Sequence, residues 1–205
     1  MKREKILSRL LVSSFSAILI SGVFVKGFSE EEEVEYPYYN NGNLNLYIGY
    51  KFLDKDWDPV DKEKEIGLRF DFGKGGLLPH IAFDVFVSSE KKTKDNKEYK
   101  LDTAEVRIGF RKYFDIFWNF RVWLGLGIAN IYYDVDVQDI FAFSTAEGST
   151  GIFGSYWADF GIDLLLFKHF DIGFLGSYSK GHLKEEGEEV EIGGWHTGLI
   201  VGYSF

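Results

Sequence analysis

The strongest constraint on the fold is the run that ends the sequence, residues 195–205, Trp-His-Thr-Gly-Leu-Ile-Val-Gly-Tyr-Ser-Phe. Strand alternation puts Trp195, Thr197, Leu199, Val201, Tyr203 and Phe205 on one face. His196, Gly198, Ile200, Gly202 and Ser204 fall on the other. The first face is apolar and aromatic; the second is mostly small or polar. In water, such a strand at a free edge is a template for aggregation. Closed into a barrel in lipid, it has no free edge and acyl chains solvate its apolar face.

The same alternation recurs from residue 44 onward. It predicts eight strands at residues 44–52, 65–72, 80–88, 101–113, 120–133, 155–166, 170–179 and 195–205. Most are close to the length a tilted membrane strand needs. Short connections at 73–76, 114–119 and 167–169 alternate with longer polar ones at 54–62, 90–98, 137–151 and 180–188. Short turns at one rim and long loops at the other fit an all-β, antiparallel up-and-down transmembrane barrel of eight strands. Tyr113, Phe114, Phe120, Phe170, Tyr203 and Phe205 sit beside the short turns, and Tyr50, Phe52, Tyr132, Tyr133, Tyr156 and Tyr178 toward the long loops. They are expected to form two interfacial girdles.

The N-terminus predicts a separate device. Lys2, Arg3 and Lys5 precede a mostly apolar stretch, residues 6–25, and Gly27-Phe28-Ser29 offers small residues for cleavage. Residues 1–29 are therefore expected to be a secretory signal peptide, residues 30–42 an acidic lead-in, and residues 43–205 the barrel domain. Residues 1–29 hold five cations against Glu4, so their removal takes the net charge from −9 to about −13. That balance argues against nucleic acid as a partner. The absence of cysteine removes disulfides and thiolate chemistry together.

The inward faces carry the charges. Glu65, Arg69, Asp71, Asp84, Glu105, Arg107, Arg111, Arg121, Asp159, Asp163, Asp171 and His196 are expected to form a network of paired charges in the lumen. An eight-stranded barrel is only wide enough for side chains to fill. The inward glycines are expected to leave room for long Arg and Glu side chains. The apolar phase of the fifth strand breaks after Ile128, where Asn130 takes the lipid face and Ile131 the other. A bulge, or a strand rising above the membrane, is expected there.

With these features the chain resembles the OmpA/OmpX-type eight-stranded outer-membrane barrels and the related opacity-type surface proteins, over residues 43–205. The resemblance implies a place in an outer membrane of the Gram-negative type, reached through the periplasm, with interior salt bridges and no wide pore. It also implies that Leu199, Val201, Tyr203 and Phe205 look like the terminal signal read by the barrel-assembly machinery. Members serve as structural envelope proteins, adhesins or resistance factors. No C-terminal peptidoglycan-binding domain is expected, and a monomer in outer-membrane lipid is.

Neither cofactor, metal nor catalysis is expected. His80, His169, His182 and His196 show no metal-ligand spacing. Ser177, Ser179 and His196 share neighbouring inward positions, but a deacylase-like barrel would need its triad facing lipid and a palmitoyltransferase-like barrel an apolar pocket. Lipid A modification is thus a remote alternative. The leading reading is an envelope-structural or surface-interaction role through the long loops. Ile140, Phe141 and Phe143 are the apolar loop residues suited to an extracellular ligand. The alternative is a narrow channel or a hydrophobic-solute porter.

Overall fold

The computed structural model describes residues 41–54, 57–74, 78–117, 119–139, 145–166, 169–185 and 188–205. The expected signal peptide, residues 1–29, and nearly all of the expected acidic lead-in lie outside the described residues, as do Ile140, Phe141 and Phe143.

Eight antiparallel strands form one closed barrel in chain order. They are β1 (Gly42–Phe52), β2 (Lys62–Phe72), β3 (His80–Lys94), β4 (Lys97–Phe117), β5 (Phe120–Asp139), β6 (Thr145–Leu166), β7 (Phe170–Glu185) and β8 (Glu188–Ser204). The terminal strand β8 closes the ring on β1, in register from Asn43↔Ser204 to Phe52↔Trp195. Gly42 and Phe205 exchange two backbone hydrogen bonds of 3.0 Å at the seam.

Alternation sorts the two faces. Outward, Leu44, Ile48, Ile108, Leu126, Ile128, Phe160, Trp195, Leu199 and Val201 are exposed. An exposed apolar patch of that extent is unstable in water and is what a bilayer solvates. This inversion leaves the chain without an overall hydrophobic excess, because apolar and polar residues alternate along each strand and their average cancels.

The strands run well past the expected ends at the long-loop rim. The segments expected as loops at 90–98, 137–151 and 180–188 are largely paired hairpin. The physical reason is that backbone donors above lipid still favour a partner, while polar side chains on both faces erase the alternation that marks a strand. β3 and β4 meet at a two-residue turn, with Asp95 at φ 50° and Asn96 at φ 60°. Those residue types tolerate the left-handed conformation that a tight hairpin turn needs.

Strand β5 itself keeps its phase, with Ile131 buried and Asn130 half-buried. The irregularity lies in β6. Ala129 pairs with Ser155 and Asn130 with Phe153, so Gly154 is the extra residue, at φ 90°. A bulge with glycine in that region lets the ribbon bend without Cβ strain. The phase seemed to break because the lumen turns apolar at this height.

Candidate functional site

The twelve expected lumen residues all point inward and are buried. They pack in tiers. Nearest the short turns, Asn43 Nδ2 donates to Asp71 Oδ1 at 2.7 Å, and Tyr113 OH donates to Asp71 Oδ2 at 2.6 Å. His80 Nδ1 also meets Asp71 Oδ1 at 2.7 Å. Arg121 Nη2 donates to both Asn43 Oδ1 and Asp163 Oδ2 at 3.1 Å. Ser204 Oγ, on the terminal strand, bonds Asn43 Oδ1 at 2.6 Å and lies 3.2 Å from Asp171 Oδ2.

In the middle tier Arg111 is the hub. Its guanidinium reaches Asp84 and Asp159 at 2.8 Å and Asp71 at 3.3 Å. Arg69 shares Asp159 Oδ2 at 3.1 Å.

The next tier holds Arg107, which donates from Nη2 to Glu105 Oε2 at 2.7 Å and from Nη1 to Ser177 Oγ at 2.8 Å. Lys51 Nζ joins Glu105 Oε1 at 2.8 Å. Above it, Ser88 and Thr103 donate to Glu63 at 3.0 and 3.1 Å.

The glycines make room chiefly for aromatics rather than for Arg and Glu. A Cβ on Gly161 would stand 2.2 Å from Trp123, one on Gly67 2.4 Å from Phe86, and one on Gly49 2.4 Å from the Tyr47 hydroxyl. Flat rings lie against bare backbone, and guanidinium groups then stack on the rings. Arg69 lies 4.1 Å from the Trp123 ring, Arg107 4.4 Å from Phe86 and Arg121 4.3 Å from Tyr113. Such stacking adds to ion pairing when desolvated. Sequence reading missed Tyr47, Phe86, Trp123 and Trp157 as lumen residues and placed Tyr113 and Tyr133 in the girdles. Their parity with Arg111 and Ile131 on the same strands is the signal that would have found them.

The upper lumen is closed by an apolar cluster: Val60, Leu101, Ala129, Ile131, Tyr133 and Ile192, with Trp57 packed against it. Trp57 meets the Tyr133 ring edge-on at 5.6 Å. The β1–β2 connection thus folds back over the mouth. Trp57 Nε1 donates to Glu191 O at 3.0 Å, which caps a carbonyl of β8. Lys92 holds Asp61, and Lys94 holds Asp58. The Lys92 hydrogen bond keeps the exposed Asp61 carboxyl below its ordinary value. This contact therefore stabilises the strap above the ordinary Asp value of about 3.9 and is lost as pH falls through the lower folded value. Carboxyl NMR should place the Asp61 midpoint below that of a free Asp, and Lys92→Gln should raise it; an unchanged midpoint in the variant refutes the pairing.

One constellation looks catalytic. Ser179 Oγ lies 3.0 Å from His196 Nε2, and His196 Nδ1 lies 2.8 Å from Glu65 Oε2. A Ser-His-acid set has this connectivity. Yet Arg107 Nη2 also lies 2.8 Å from His196 Nε2. A guanidinium only donates, so it occupies the lone pair a general base would use, and the ring proton goes from Nδ1 to Glu65. Ser179 Oγ in turn is 3.0 Å from Glu105 Oε1, which accepts its proton. All five side chains are buried in the packed lumen. The set cross-links β2, β4, β7 and β8.

Of the terminal residues, Leu199, Val201, Tyr203 and Phe205 all face outward. Phe205 stacks on Phe70 with ring centres 6.3 Å apart, and Tyr203 stacks on His169 at 5.4 Å.

No family model and no curated protein matches the sequence. Solved structures do. Ail, the attachment invasion locus protein of Yersinia pestis, crystallised with the heparin analogue sucrose octasulfate, is 16% identical. That alignment covers 80% of this chain and 99% of Ail, with a TM-score of 0.52. Neisserial surface protein A is 12% identical over 80% of this chain and 95% of its own, with a TM-score of 0.47. The N-terminal barrel of Pseudomonas aeruginosa OprF is 13% identical over 82% and 99%, with a TM-score of 0.44. At such identities the likeness speaks for fold alone, and with the closed eight-stranded ring it is decisive there: this chain has the fold of the eight-stranded outer-membrane β-barrels.

Proposed function

We propose that the protein is a monomeric outer-membrane barrel that acts as a surface-interaction protein, with its long hairpins outside the cell. The observation that carries this reading is the sheet above the apolar belt. β5 and β6 stay paired up to Gln138↔Thr145, whereas β6 leaves β7 at Tyr156↔Lys180. Among the described residues, the β7-side edge of β6 above that point has no strand partner. An unpaired edge is a template for an extended segment of another chain. The opposite edge of this sheet is protected: β3 carries Lys91, Lys92 and Lys94, and the last two tie it to the β1–β2 connection. Residues 145–154 hold one charge, Glu147. A second copy in the same membrane fits poorly, because upright barrels related by an axis along the membrane normal cannot present two β6 edges antiparallel. An extended segment of an extracellular protein fits. Ile140, Phe141 and Phe143 follow β5 in sequence and would supply apolar contacts to it.

The packed lumen supports this reading over a channel or porter, since stacked side chains and the apolar cluster block a straight path from mouth to turns. The outward Leu199, Val201, Tyr203 and Phe205 support a role in recognition by the barrel-assembly machinery.

Replacing residues 134–149, the part of the hairpin beyond the register pair Tyr133↔Thr150, by a two-residue Asn-Gly turn tests the proposal. Cells displaying the native barrel should bind immobilised extracellular-matrix protein, and the shortened barrel should bind about tenfold more weakly, a change of about 1.4 kcal/mol. Both barrels should still migrate differently on gels before and after boiling. Equal adhesion by the two refutes the reading.

A further inference from the structure

Up the outward face of β2 the order is Phe72, Phe70, Leu68, Ile66, Lys64, Lys62. The apolar run stops in one step, so the hydrocarbon ends between Ile66 and Lys64. Lys64 is in register with Tyr50 and Lys62 with Phe52. The Lys62 ammonium lies 3.9 Å from the centre of the Tyr50 ring. An interfacial tyrosine marks the headgroup level, and both lysines stand at that level or just above it.

Other outward lysines around this rim are neutralised. Lys91 pairs with Glu98, Lys100 with Asp102 and Lys180 with Glu191, each at 2.6 Å. Among the described residues, no carboxylate lies within ion-pair distance of Lys62 or Lys64. Asp61, the chain neighbour of Lys62, is taken by Lys92. Lys62 acts on Asp61 only at longer range, and in a chain that carries −9 as a whole two cations without an ion pair on one strand face are a local exception. Two strand positions apart, they stand about 7 Å from each other at Cα, a spacing that flexible lysine stems close around one anion.

We propose that Lys62 and Lys64, beside Tyr50, bind the phosphate of an anionic lipid headgroup in the outer leaflet. The proposal rests on the reading of the barrel as membrane-embedded with its hairpins outside. Lysine holds phosphate as a point charge, and basic residues at the membrane surface select anionic lipid. The Tyr50 ring confines the Lys62 ammonium.

The test uses the folded barrel in phosphatidylcholine vesicles with a trace of spin-labelled phosphatidylglycerol or spin-labelled phosphatidylcholine. The immobilised fraction of each label gives the lipid preference. The native barrel should prefer the anionic label about fivefold, as expected for a cation at the membrane surface. Lys62→Gln with Lys64→Gln should bring the ratio close to one, while Lys180→Gln should leave it unchanged. Millimolar inorganic phosphate should not displace the label. A native barrel without preference overturns the proposal, as does a preference that survives the double substitution. Displacement by free phosphate assigns the site to a soluble anion and also overturns it. Gel migration before and after boiling, read on the same vesicles, separates the two levels: a barrel that embeds yet shows no preference leaves the membrane reading standing, whereas one that does not embed overturns both.

Discussion

Arg111→Met should cost the barrel about 3–5 kcal/mol, the range for removing one partner of a buried ion pair. Arg111 is fully buried and contacts Asp71, Asp84 and Asp159. Methionine keeps much of the volume but leaves three carboxylates facing one another. Arg69 compensates in part, because it already bonds Asp159 at 3.1 Å. The check is a urea titration of the reconstituted barrel against Lys91→Met, which removes the exposed Lys91–Glu98 pair. The exposed pair should be worth about 0–1 kcal/mol. An Arg111 variant no worse than the Lys91 variant would mean that the lumen network adds nothing to stability.

Gly127→Val should do more and prevent the barrel from folding. Gly127 and Gly109 are register partners in β5 and β4. A Cβ on Gly127 would stand 2.1 Å from the Ile108 carbonyl oxygen and 2.6 Å from the Gly109 Cα. Both are backbone atoms, so no rotamer change relieves the clash. The bare backbone here is where Trp157 lies. Its Nε1 donates to Ile128 O at 3.0 Å and to Ile108 O at 3.3 Å. Valine would separate two strands and displace the indole together. The expected cost exceeds 4–5 kcal/mol, the exceptional end for a point substitution. On gels the variant should show no difference before and after boiling, while Thr197→Val on the outward face should fold normally. A folded Gly127→Val barrel would show that β4 and β5 can separate locally at little cost.

The outer surface was legible in the sequence because lipid enforces it. Every strand from β1 to β8 must show an apolar residue at alternate positions, so Leu44 to Phe52 or Leu199 to Phe205 declare their face without help from partners. The lumen was half legible. Arg69, Arg111 and Asp159 had to face inward, since lipid excludes them. Tyr113 and Tyr133 did not, since a tyrosine is equally at home at an interface and in a packed interior. The partners were illegible for a different reason. Arg111 and Asp159 lie 48 positions apart in sequence and meet only once ring size and register are fixed. The strap that places Trp57 over the mouth left no trace, because its two ends already belong to a connection expected to be polar and open. The hairpins above the belt escaped notice because water does not impose the face pattern that lipid does.

The seam between β1 and β8 carries a consequence for how the barrel comes into being. Ser204 Oγ reaches Asn43 across 161 positions, and Phe205 clasps Gly42. Contacts of such sequence separation form slowly, since the chain must order before they return anything. Until the last strand arrives, both the first and the last strand present unpaired backbone, and neither can be left in hydrocarbon in that state. The nascent chain is therefore bound to wait, with both edges sheltered, for the residues of β8. Truncation by a single strand would leave not a slightly weaker barrel but an open sheet that lipid cannot accept.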